Sequence, residues 1–97
     1  MKTYTICGSM RFANEMRKTA YELETEKGWN VLQCVYSPEE AVPSEEELLR
    51  LREAHFRKID LSDGIYVVNP GGYIGEAVRK EIAYAREKGK EVRYHCP

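Results

Sequence analysis

A three-layer α/β sandwich, with helices on both faces of a parallel sheet, is the fold class this sequence predicts, and three observations carry it. Short β-rich runs alternate with helical ones along the whole chain. The helical runs are long enough that the strands they join need crossover connections, which makes the sheet parallel. No repeat, low-complexity segment or Pro/Gly/Ser linker divides the 97 residues, so residues 1–97 form one domain around one core.

The elements follow in order. "KTYTIC" is a short strand ending at Gly8, and an amphipathic helix follows from about Met10 to Lys27, with Phe12, Ala13, Met16, Ala20 and Leu23 inward and Gly28 as its stop. "WNVLQCVY", residues 29–36, is the second strand. "SPEEAVP" carries two prolines and is an irregular connection. Ser44 with Glu47 three residues later forms a capping box that opens a helix running to about Asp60. "GIYVV" is the third strand, "NPGGYIG" a turn, residues 74–88 a helix stopped by Gly89, and "EVRYHC" the last strand. The sheet therefore has four or five parallel strands.

Composition narrows the function. Fifteen basic residues stand against sixteen acidic ones, with no long like-charge block to track a phosphate backbone or an anionic membrane. Nucleic-acid and membrane partners are not expected. No apolar run reaches about 18 residues and the start does not read as a signal peptide, so a cytoplasmic setting is expected. Cys7, Cys34 and Cys96 are odd in number and lack CxxC spacing, which suits reduced thiols rather than a disulfide frame or a zinc site. Cys7 and Cys34 read as small strand residues.

In an open parallel sheet, ligands bind beyond the carboxyl ends of the strands. Two strand-to-helix turns lie there: "CGSMR" after the first strand and "NPGGYIGE" after the third. In the first, Gly8 allows a sharp turn, Ser9 caps the helix, and the free N–H groups with Arg11 offer an anion a cradle; the alternative is that Gly8 and Ser9 only start a helix. Neither turn matches GxGxxG or GxxxxGK[ST], so an ordinary dinucleotide or P-loop site is not supported.

On a helical wheel with Val78 at zero, Ile82 lies at roughly +40°, Ala85 at about −20°, Ile74 at about −40° and Ala77 at about −100°. Glu81 falls at about −60°, inside that apolar stripe. A carboxylate facing a sheet must be hydrogen-bonded, paired or protonated, because its desolvation is expensive. Glu81 is therefore expected to point into the crevice; the alternative is that it reaches solvent from the stripe's edge or pairs with Arg11. His55 sits with Leu48, Leu51 and Ile59 on the inward side of the preceding helix, as a core group or as a site group. Asp60 and Asp63 flank the far end of the third strand and read as turn residues.

"YTICGSMR" and "SDGIYVVNPGGYIGEAVRKEIAYAREKGKEV" resemble the nucleoside 2-deoxyribosyltransferase family, including the related 2'-deoxynucleoside 5'-monophosphate N-glycosidases, with a subgroup of small bacterial proteins as the nearer likeness. The resemblance covers both ends of the chain and the order of elements between them. It implies a flavodoxin-like or Rossmann-like fold and cleavage or transfer at an N-glycosidic bond, with Glu81 at the family's nucleophilic glutamate. It also implies that Gly8, Ser9 and Arg11 with Gly71, Gly72, Tyr73 and Gly75 hold the phosphate or ribose of a nucleoside or nucleoside 5'-monophosphate, and that Tyr73 closes over the base. His55 stands where family enzymes carry an aspartate and could protonate the base. No metal or organic cofactor is required, and a crevice shared across a homodimer is expected. The competing expectation is a nucleotide-binding or sensing module of the same fold, without turnover.

Overall fold

A computed structural model describes residues 1–97. Four strands form one sheet: β1 (Thr3–Cys7), β2 (Asn30–Leu32), β3 (Gly64–Val67) and β4 (Glu91–Tyr94). They lie in the order β2-β1-β3-β4, and every pairing is parallel. Three helices connect them: α1 (Ala13–Glu22), α2 (Glu45–Asp60) and α3 (Glu76–Glu87). This is a small Rossmann-like three-layer arrangement, and its strand order is that of the first four strands of flavodoxin-like sheets.

Strand alternation sorts the core into two halves. Ile6 of β1 and Val68 just past β3 point to one face, where Met16 and Ala20 of α1 and Leu23 cover them. Cys7, Ile65 and Val67 point to the other face, where Ile59 of α2 and Val78, Ile82 and Ala85 of α3 pack. The wheel stripe of α3 is thus the buried one, with Glu81 half-buried at its edge.

The caps follow the sequence signals. Ser44 accepts from the Glu47 N–H at 3.2 Å while the Glu47 carboxylate accepts from the Ser44 N–H at 2.9 Å, the reciprocal capping box. A single 3₁₀ turn, Met10–Phe12, precedes α1 and a π turn, Leu23–Lys27, follows it, so the helical run spans the predicted limits. Gly28 ends it at φ 70°, and its N–H reaches the Leu23 carbonyl.

The second strand is shorter than predicted. Residues 29–36 read as one strand, but only Asn30–Leu32 pair, against Thr3–Thr5 of β1. Two residues later β1 ends at Cys7 and turns away at Gly8, so a longer β2 has nothing to pair with. Cys34 and Tyr36 still pack on the Ile6 and Met16 side of the core, without strand hydrogen bonds. The first half of α2 also departs from its expected face: Leu48 is 52% exposed and Leu51 37%, while Ile59 is fully buried. α2 touches the sheet through its last turns and extends beyond it. No helix is long and apolar enough to cross a membrane.

Candidate active site

At the carboxyl ends of β1 and β2 a cavity of about 300 Å³ opens between α2, α3 and the segment after β2. Gly8, Cys34, Leu51, His55, Ala77 and Glu81 are among its lining residues. That volume lies at the lower end of the range of small-molecule sites. A wider depression of about 620 Å³ lies over the α1–β2 edge, but no imidazole lines it and its one carboxylate, Glu24, is spent accepting the Val31 N–H at 2.9 Å.

Three elements bring the polar centre together. α2 offers His55 one turn before its buried anchor Ile59, and α3 offers Glu81 beside its buried Ile82. β1 ends there with Cys7. His55 Nε2 lies 3.2 Å from Glu81 Oε1 and 3.4 Å from Cys7 Sγ. The His55 and Glu81 side chains are 12% and 17% exposed, so water screens their interaction only partly. Glu81 therefore neither reaches open solvent nor pairs with Arg11; its partner is His55. The other ring nitrogen of the imidazole, Nδ1, is buried with no hydrogen-bond partner. An unpaired buried polar atom costs about 1–3 kcal/mol. Burial first, and the Glu81 carboxylate second, push the Cys7 thiol well above its ordinary range.

The two glycine turns meet at the side of this cavity. A methyl group on Gly8 would come within 2.7 Å of Met16 Sδ and 3.1 Å of the Val68 carbonyl oxygen, so a side chain there must displace the buried Met16 thioether. Gly8 lines the cavity together with Met10. Ser9 and Arg11 do not line it: Ser9 Oγ accepts from the Arg11 N–H at 3.4 Å, and the Arg11 guanidinium stacks on Tyr73 at 4.5 Å from the ring centroid. Phe12 meets the same ring edge-on at 5.8 Å. Gly71 and Gly72 turn at φ 63° and 80°, where a side chain would be strained. Tyr73 is 41% exposed. Gly75 opens α3 with no side-chain cap, which leaves the first N–H groups of that helix free. The structure thus joins Gly8, His55 and Glu81 in one cavity, and Arg11 with Tyr73 in an adjacent stack.

Asp60 and Asp63 are confined to the opposite end of the sheet, as their turn positions imply. Asp60 accepts from the Tyr84 hydroxyl at 2.6 Å and Asp63 from the Thr3 N–H at 2.8 Å.

Cys7 is the site residue that sequence reading missed. Strand parity carried a signal: Cys7 and Thr5 share the face of β1 that looks toward α2, and Cys7 is the last residue before the turn. Arg52 and Lys58 also line the cavity, three residues either side of His55 on one helix face. No family model, curated protein or solved structure matches this chain.

Proposed function

We propose that this protein cleaves or transfers an N-glycosidic bond of a nucleoside or nucleoside 5'-monophosphate, with Glu81 as nucleophile. The observation that carries this reading is the paired Glu81 and His55 in a cavity at the carboxyl ends of a parallel sheet. Glu81 Oε1 is held by His55, which leaves Oε2 to attack the anomeric carbon. The C–N bond breaks as the C–O bond forms, the base leaves with the bonding pair, and water or a second base resolves the glycosyl ester. In retaining glycosidases the nucleophile and the acid stand about 5–5.5 Å apart. The 3.2 Å contact is closer, so His55 serves better to orient the carboxylate than to protonate the departing base. Arg11, Tyr73 and the free N–H groups at the start of α3 would receive the phosphate and base.

A second reading, a nucleotide-binding module without turnover, is favoured by the Arg11–Tyr73 stack lying beside the cavity rather than in it. A homodimer fits both readings, because the uncovered Leu48 and Leu51 rim the cavity.

Incubation with a panel of nucleosides and nucleoside 5'-monophosphates, read by chromatography of free base, tests the proposal. Base release from one substrate, abolished in Glu81→Ala, is the expected result. Thermal stabilisation by one nucleotide without base release would move the assignment to the binding module.

A further inference from the structure

Three potential metal donors converge on one point, although nothing in their sequence spacing announces it. Cys7 Sγ, His55 Nε2 and a Glu81 carboxylate oxygen all lie within 4.8 Å of one another. Donors around a tetrahedral zinc ion at ordinary bond lengths are separated by roughly 3.3–3.6 Å. The observed separations from Nε2 are 3.4 Å to sulfur and 3.2 Å to oxygen.

The contact pattern distinguishes this cluster from a nucleophilic relay. In a relay, the nucleophile and the orienting acid bind opposite nitrogens of the imidazole. Here both crowd Nε2, while Nδ1 is unpartnered. Nε2 carries either one proton or one lone pair. If it donates to Glu81, the Cys7 thiol is left with a weak contact to the Thr5 carbonyl at 3.9 Å and with the same carboxylate that already accepts from the imidazole. If it accepts from the thiol, its lone pair faces the carboxylate. A cation in place of the proton satisfies all three donors at once.

We infer that Cys7, His55 and Glu81 form a three-donor site for a borderline divalent transition ion of the zinc class, with its fourth position open to the cavity. The sulfur–nitrogen–oxygen set selects against magnesium and calcium, which take all-oxygen shells. The charges close as well: one thiolate, one carboxylate and a dication sum to zero, which a half-buried site tolerates. Binding releases the thiol proton to solvent. Metal-bound histidines ordinarily donate their second N–H to an acceptor, and losing such a partner typically costs 10–100-fold in affinity. The unpartnered Nδ1 of His55 therefore marks an exchangeable ion rather than a permanent structural one. Resting on the glycosidic reading above, the consequence is inhibition, because an ion on Glu81 withdraws the electron pair that attacks the anomeric carbon.

The test uses the full chain, stripped with chelator and kept reduced by a phosphine. Cobalt(II) is added first, and zinc(II) is then titrated against a chromophoric chelator. One equivalent of cobalt should produce a thiolate-to-cobalt charge-transfer band in the near ultraviolet with the strong visible bands of a four-coordinate ion. That band should vanish in Cys7→Ser, and zinc affinity should fall at least tenfold in His55→Ala and in Glu81→Gln. Absence of the band from the wild-type protein overturns the inference, whatever the variants do. So does a band that survives Cys7→Ser and disappears in Cys34→Ser or Cys96→Ser. Base release is measured separately on metal-free protein. A cobalt band without base release overturns only the glycosidic reading, and base release without a band overturns only the metal site.

Discussion

Replacing both members of the central pair, His55→Leu with Glu81→Met, should leave the protein as stable as wild type or stabilise it by about 1–2 kcal/mol, while the single substitutions do worse than the pair. The wild-type structure carries one buried, unpartnered nitrogen in His55 Nδ1, a liability of about 1–3 kcal/mol. It recovers about 0.5–1.5 kcal/mol from an ordinary hydrogen bond, or up to about 3 kcal/mol where a charge is involved, through the contact of Nε2 with Glu81. Apolar replacement of both partners removes the liability and the bond together, and swaps of this kind are commonly neutral or stabilising by about 1–4 kcal/mol. His55→Leu alone leaves the Glu81 carboxylate, 17% exposed, without its partner. Coupling between residues in contact runs to about 0.5–3 kcal/mol, so the double-mutant cycle should resolve it. The assay is urea unfolding with chelator present, comparing midpoints at constant slope. In a domain of this size about 1 kcal/mol moves the melting temperature by about 4–8 °C. A double variant at least 1 kcal/mol less stable than wild type would mean that the pair is a structural support, and the case for a functional pair would lose its energetic basis.

Two further outcomes follow from other parts of the molecule. Gly8→Ala should destabilise by about 1–3 kcal/mol in thermal unfolding, because its methyl group would meet the buried Met16 sulfur at 2.7 Å and the Val68 carbonyl at 3.1 Å; an unchanged melting temperature would show that the turn relaxes freely. Acidification should weaken the amino end of the sheet. The Tyr4 hydroxyl first, then Arg93 and Lys2, hold the Glu91 carboxyl below its usual range, so its contribution is present above the unfolded-state value near 4.5 and is lost as pH falls through the lower folded-state value. Urea midpoints between pH 6 and about 3 should therefore fall less steeply in Glu91→Gln than in wild type; identical slopes would remove Glu91 from the acid response.

Much of the site's framework was legible in the sequence because it depends on local periodicity. The apolar stripe of α3 isolated Glu81 against Val78, Ile82 and Ala85, and all three of those are buried. The Ser44–Glu47 capping box needed only a three-residue spacing. The glycine at position 8 marked a strand end where a methyl group would crowd Met16 and the Val68 carbonyl. The length of β2 was not legible, since it depends on where its neighbour turns away. Nor was the exposure of Leu48, which has inward phase on its helix but lies beyond the reach of the sheet.

Sequence by itself determined the α/β alternation, the parallel sheet, the helix limits and the oddity of a carboxylate in an apolar stripe, because each of these is set by local periodicity and by the length of the runs between strands. Tertiary structure decided that Cys7, His55 and Glu81 share one nitrogen, and that Arg11 lies on Tyr73 beside the cavity. The physical reason is distance along the chain. Cys7 and His55 are 48 residues apart and His55 and Glu81 are 26 apart. Contacts across such separations are set by strand order and by how far each helix overhangs the sheet, and no local period encodes either.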